Sequence, residues 1–238
     1  MNRTLNDPIG QAILEYIKTG KNEDIIVKSE LCDDDIIPSA YLFRTYDEMP
    51  EIEKIALSNC KGEIIDIGAG AGTHARYLSE MGHNVKCIDL SPGSIQHLKS
   101  IGMDADCTSL FELDKKKYDT VLMLMNGIGI AGTLSNLENT LLKVKTLLNK
   151  NGKLICDSCD IKYLYEDDED GLWIDLNSEY HGNFKFQMKY GKHSSKWFDW
   201  LYVDFENFKA IAEKAGFTIT KLAEQDNQYL VELSLNQL

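Results

Sequence analysis

No stretch of this 238-residue chain approaches the roughly 18 apolar residues that a membrane-crossing helix needs, and Met1 to Gly10 lacks the apolar core of a secretory leader. A cytoplasmic protein is therefore expected. Basic residues are also scarce: 25 Lys and Arg stand against 38 Asp and Glu, a net charge of −13. A field of that sign repels phosphate backbones and anionic lipid, so nucleic acid and membrane partners are disfavoured. Cysteines number six and are scattered, several inside apolar strand-like runs where small buried thiols are ordinary. Only Cys156 and Cys159 have C-x-x-C spacing, and no second pair or histidine cluster completes a zinc site. No internal repeat or low-complexity segment is apparent.

What is present, from residue 63 onward, is an alternation of strand-like and helix-like segments, the pattern of a parallel sheet with helices on both faces. Glu63 to Ile67 is a β-branched run that ends at a glycine turn and is expected to be the central strand. The following helix carries Ala75, Leu78 and Met81 at helical spacing and stops at Gly82. Asn84 to Asp89 is a second strand. Ser91 as N-cap, Pro92 in the first turn, a stripe of Ile95, Leu98 and Ile101, and Gly102 at the end mark the clearest helix of the chain.

Asp104 to Cys107, Tyr118 to Met125 and Lys153 to Cys156 read as further strands, with a helix over Ser135 to Leu148. The alternation then breaks at Glu166 to Asp170, an unbroken acidic run that reads as a solvated loop, with a lure for a cationic substrate as the sharper alternative. Between Tyr180 and Val203, aromatic and polar residues alternate as in two inserted strands, where the Trp197 to Tyr202 cluster is either core or one wall of a pocket. Asp204 caps a helix that ends at Gly216, and 217–223 and 229–235 read as a closing hairpin. Residues 1–60 read as two helical stretches flanking a loop with Pro38 and Pro50, a cap preceding a main domain at 61–238, within which 163–203 is an insertion.

In an open parallel sheet, ligands bind beyond the carboxyl ends of the strands. Here those ends are punctuated by Asp66 to Gly72, Asp89 to Ser91, Asp106 to Ser109, Asn126 with Gly127, and Asp157 to Asp160. A dinucleotide fingerprint requires G-x-G-x-x-G, but after Gly68 and Gly70 position 73 is Thr and Gly72 comes one residue early. Asp66 would also repel a pyrophosphate placed beside it. A cationic ligand would suit it. Asp89, 21 residues after Gly68, is placed to accept hydrogen bonds from both ribose hydroxyls. Together the two acids ask for a nucleoside that carries an amine and no phosphate, and S-adenosylmethionine fits.

The segment Ile65-Asp66-Ile67-Gly68-Ala69-Gly70-Ala71-Gly72-Thr73, with Cys87-Ile88-Asp89-Leu90-Ser91-Pro92 and Asp106-Cys107, resembles the class I S-adenosylmethionine-dependent methyltransferases over about residues 62–160. The resemblance implies a Rossmann-like, mostly parallel sheet of seven strands whose last hairpin adds one antiparallel member. It implies that Asp66 holds the methionine ammonium, that the backbone of Gly68, Ala69 and Gly70 runs along the methionine, and that Asp89, with Leu90 beside it, binds the ribose. Asp106 would bind the adenine amine and Cys107 its ring by main chain. Met125-Asn126-Gly127-Ile128 departs from the Asn/Asp-Pro-Pro-aromatic stretch common among base methylases and argues against that subgroup; Asn126 and Gly127 remain candidates for touching cofactor or acceptor.

Methyl transfer from a sulfonium rests on proximity and alignment and needs no metal. Should the acceptor lose a proton, His74, Asp157 and Asp160 are the rim residues placed to take it. Arg44, in an aromatic cluster with Tyr41, Phe43 and Tyr46, is expected to offer its guanidinium to the methionine carboxylate as part of a lid. A small-molecule acceptor is the reading; an NAD(P)-dependent oxidoreductase, a cofactor-binding protein without turnover, and an enzyme acting on RNA or protein are the alternatives.

Overall fold

The computed structural model describes residues 6–114, 116–165 and 179–236. The acidic run at Glu166 to Asp170 lies outside the described residues. The main sheet has seven strands: β3 (Glu63–Ile67), β4 (Asn84–Asp89), β5 (Asp104–Cys107), β6 (Tyr118–Met123), β7 (Leu148–Cys159), β11 (Phe217–Gln225) and β12 (Gln228–Leu235). Their spatial order is β11-β12-β7-β6-β3-β4-β5. Strands β5, β4, β3, β6 and β7 run parallel, and β12 is the one antiparallel to them, pairing β7 on one side and β11 on the other.

From β3 the chain winds outward through β4 to β5, then returns to lay β6 on the opposite side of β3. The switch point thus falls between β3 and β6, where the ends of both strands are free of crossing connections. Side chains alternate across the sheet, which divides the core in two. Ile65, Val121 and Met123 face α5 (Leu134–Leu147) and α6 (Phe205–Lys214), whereas Ile64, Cys87 and Leu122 face α2 (Glu51–Ser58), α3 (Thr73–Glu80) and α4 (Pro92–Ser100). The helix signals act as read: the Ser91 hydroxyl accepts from the Ser94 N–H at 3.0 Å and the Asp204 carboxylate from the Asn207 N–H at 3.0 Å.

The N-terminal region holds more than helix. Between α1 (Pro8–Thr19) and α2 lies an antiparallel hairpin, β1 (Asp24–Ser29) and β2 (Asp35–Pro38), in the stretch that sequence marks as loop. Its partner is distant in the chain. Strand β1 pairs β8 (Asn183–Tyr190), which pairs β9 (His193–Ser194) and β10 (Phe198–Leu201), so the inserted strands and the N-terminal hairpin form a second, five-stranded sheet. That sheet and α1 pack on the glycine loop: Ala12, Ile13, Ile25, Leu42 and Tyr190 form one buried cluster with Ala71. The aromatic group of β8 and β10 is largely core, with Phe184 and Phe186 buried against Tyr202.

Candidate active site

Asp66 ends β3 on its buried face, 2 % exposed, and its Oδ2 has no hydrogen-bond partner among the described residues. Burial pushes its carboxyl up to about 6, with Asp89 adding in the same direction and His74 opposing. A buried acceptor without a donor costs free energy, and this oxygen can take one from outside the chain. The backbone then turns. The Gly68 and Ala69 N–H groups donate to the Ile88 carbonyl at 2.9 and 3.1 Å, which folds the loop over the end of β4.

Gly70 has φ +55°, and a Cβ placed there would point into open space. Its conformation is what demands glycine, and its N–H donates to Asp89 Oδ2 at 2.8 Å. The Ser91 N–H donates to the other Asp89 oxygen, also at 2.8 Å. Each Asp89 oxygen thus takes one backbone N–H and keeps lone pairs for further donors. Burial, foremost, and the nearby charge of Asp7 raise the Asp89 carboxyl above the usual aspartate range, while the backbone N–H groups of Ser91, Gly70 and Leu90 oppose it. Leu90 follows at 71 % exposure, an apolar surface at the mouth of the site.

Asp106 lies on β5 beside Asp89's strand and is gripped by Lys86 Nζ at 2.6 Å, with Lys99 at 4.0 Å. That hydrogen bond from Lys86 holds its carboxyl below the usual range. Cys107 pairs with Asp89 in register and is exposed. On the other side of the switch point, Asn126 sits at φ +55° three residues after the end of β6. Its N–H donates to Asp157 Oδ2 at 3.0 Å and its side-chain amide to the Leu201 carbonyl at 3.1 Å, so it ties the main sheet to the insertion. Gly127 is buried against Met123.

Asp157, on β7, also accepts from Gln228 Nε2 at 2.8 Å, and its Oδ1 has no partner among the described residues. Burial raises its carboxyl above the usual range. Asp160 is held in its own loop, accepting from the Lys162 N–H at 3.1 Å and from Lys162 Nζ at 3.4 Å. Burial holds both C-x-x-C thiols protonated, raising Cys156 well above a normal thiol and Cys159 to about 11.

Beneath the glycine loop lies a charged network that sequence reasoning missed. Glu53 of α2 accepts from Arg44 Nη2 at 2.7 Å and Nε at 3.2 Å, and pairs with His74 Nε2 at 2.9 Å. All three side chains are buried. Arg44 was expected to reach a methionine carboxylate; instead the carboxylate it grips is Glu53, and its Nη1 donates to the Tyr41 carbonyl at 2.8 Å. A guanidinium 5 % exposed needs its own anion, and Glu53 supplies it. Burial raises the Glu53 carboxyl, but the His74 and Arg44 contacts outweigh this and hold it below the usual range. Nothing local in an eight-residue helix marks one glutamate as buried, so no sequence signal pointed to it.

The Asp66 oxygen without a donor, the open glycine turn and the doubly anchored Asp89 fit a nucleoside with an ammonium group. A family model described as a methyltransferase domain matches residues 40–222. Among solved structures, the chain is similar to an S-adenosylmethionine-dependent methyltransferase from Bacteroides fragilis in complex with S-adenosyl-L-homocysteine, at 38% identity over 98% of this chain and 96% of that one, with a TM-score of 0.91. It also shares its fold with an S-adenosylmethionine-dependent methyltransferase from Clostridium acetobutylicum (13% identity, 80% of this chain and 94% of that one, TM-score 0.59). The CcbJ methyltransferase from Streptomyces caelestis gives similar values (13% identity, 80% and 95%, TM-score 0.61). No curated protein matches the chain.

Proposed function

The chain belongs to the S-adenosylmethionine-dependent methyltransferases, and from that premise we propose how its residues divide the work and what kind of acceptor it serves. The observation that carries the reading is the placement of the Asp66 and Asp89 carboxylates at the ends of two paired parallel strands, with the Gly68 to Gly70 backbone between them. Asp66 takes the methionine ammonium, the Gly68-Ala69-Gly70 backbone follows the methionine, and Asp89 takes the ribose hydroxyls beside Leu90. Asp106 takes the adenine amine and the Cys107 main chain the ring, with Lys86 keeping Asp106 ionised as an acceptor. Asn126 and Gly127 close the site from the β6 side. Arg44 acts on the cofactor through Glu53 and His74.

The bound cofactor supplies a methyl group on a positively charged sulfur. The protein's part is alignment, water exclusion and, where the acceptor carries one, removal of a proton. His74 is committed to Glu53 and Asp160 to Lys162, whereas Asp157 keeps a buried oxygen without a donor. Of the three candidates Asp157 is therefore the one we assign to the acceptor's proton. We place the described parts of residues 1–60 and of the insertion at 163–203 as the cap on the acceptor side, a reading supported by the cluster that joins both to Ala71.

A net charge of −13 favours a small-molecule acceptor over RNA. No helix among the described residues is long and apolar enough to cross a membrane. Transfer of labelled methyl from S-adenosylmethionine to a panel of amines, hydroxyl compounds and thiols tests the acceptor class. Label in a small product supports it, and label recovered only in RNA or protein from extract overturns it. For Asp157→Asn, turnover of an acceptor with a hydroxyl or protonated amine should fall about 10²-fold or more with cofactor binding retained.

A further inference from the structure

The ribose-binding turn is reached by one residue from far outside it. Asp7 precedes α1 and caps it, its Oδ1 accepting from the Gly10 N–H at 2.9 Å. Its other oxygen leaves the helix altogether. Oδ2 accepts from the Ser91 hydroxyl at 3.0 Å and from the Gly93 N–H at 2.9 Å, so a single buried carboxylate caps α1 and closes the first turn of α4. Ser91 is the residue whose own N–H holds Asp89 Oδ1. A continuous chain of hydrogen bonds therefore runs from Asp7 through Ser91 to the acid at the end of β4.

The contact is built for close approach. A Cβ on Gly93 would lie within 2.7 Å of the Gly10 backbone, and one on Gly10 would lie 2.6 Å from the Ser91 hydroxyl. The two helices meet backbone to backbone, which a side chain at either glycine would prevent. Asp7 also lies at the amino ends of both helices, where a negative charge is stabilised. A helix cap alone needs one oxygen, and Ser or Thr provides that as well. The second oxygen, directed at Ser91 and Gly93, serves the turn that presents Asp89.

We propose that Asp7 is a positioning residue for cofactor binding, which through Ser91 fixes the orientation in which Asp89 meets the ribose. The inference rests on the assignment of Asp89 to the ribose hydroxyls. Its consequence is specific. Loss of the second Asp7 oxygen should weaken the recognition of ribose and leave the rest of the cofactor's contacts unchanged.

Asp7→Ser separates the two roles, because the serine hydroxyl still caps α1 and cannot span to Ser91 and Gly93. Calorimetric titration of the full chain with S-adenosylhomocysteine and with its 2′,3′-dideoxyribose analogue, which offers Asp89 no hydroxyl, is the test, with the melting point of the ligand-free protein measured alongside. For Asp7→Ser, affinity for S-adenosylhomocysteine should fall about fivefold, while affinity for the dideoxy analogue changes less than twofold. Equal losses for both ligands, or no loss for either, overturn the proposal.

Should the serine variant fail to fold, Asp7→Asn is the second variant. It is isosteric, keeps one acceptor oxygen for Gly10, and presents an amide N–H group where Gly93 also donates; the same ligand difference is expected. Asp89→Asn measured with the same two ligands distinguishes the layers. If it does not discriminate between them, the ribose assignment fails and the role of Asp7 with it; if it discriminates and Asp7→Ser does not, the role of Asp7 alone is overturned.

Discussion

A carboxylate 2 % exposed with one oxygen unpaired destabilises the empty protein, and Asp66 is in that position. Folding raises its carboxyl from the usual 3.8 to about 6 because burial disfavours the charged form. The folded chain thus binds more protons than the unfolded one between those values. Stability from this group is fully present below about pH 4 and is lost as pH rises through about 6, an effect of up to about 3 kcal/mol. Asp66→Asn should therefore raise the ligand-free melting point at pH 8 by several degrees and leave it nearly unchanged at pH 4. The same variant should lose affinity for S-adenosylhomocysteine. Paired melts and titrations check both, and a melting point lowered at pH 8 would contradict the account. The placement of Asp66 and Asp89 at strand ends was legible because strand ends and glycine spacing are written locally. Asp7 and Glu53 were not, because their partners stand 84 and 21 residues away.

At the scale of elements, α2 is pinned to α3 by the Arg44–Glu53–His74 network. Removing the one anion leaves a buried guanidinium without its counter-ion, so Glu53→Gln should cost about 3 to 5 kcal/mol in urea unfolding. A cost below about 1 kcal/mol would mean that the network is solvated. Asp204→Ala removes the cap of α6 and also the acceptor of the Tyr180 hydroxyl, so it should cost about 2 to 4 kcal/mol. The sequence marked α4 and α6 well because their caps, apolar stripes and terminal glycines agree. It did not mark β1 and β2: the stretch with Pro38 reads as loop, and their hairpin joins a larger sheet only through β8, more than 150 positions on. A strand whose partner is remote carries little local signature.

At the scale of the whole molecule, two sheets share one task. The main sheet presents the acids and the glycine turn at its switch point, and the second sheet, with α1, packs on that turn through Ala71. The parallel sheet was legible from alternation, and the closing hairpin from its two apolar runs. The second sheet was half legible, as two inserted strands without their N-terminal partners. The net charge of −13 belongs to this scale too: in a filter assay at moderate salt the protein should retain no RNA, and salt-sensitive retention would argue for a nucleic-acid acceptor.

The central claim is electrostatic: Asp66 and Asp89 about the glycine turn select a cationic nucleoside over a phosphorylated dinucleotide. Calorimetric titration of the wild-type chain with S-adenosylhomocysteine and with NAD, repeated for Asp66→Asn and Asp89→Asn, tests it most directly. The account predicts micromolar binding of S-adenosylhomocysteine, no heat with NAD, and at least a tenfold loss of the former in each variant. Binding of NAD at comparable strength, or variants that bind S-adenosylhomocysteine as the wild type does, would contradict it.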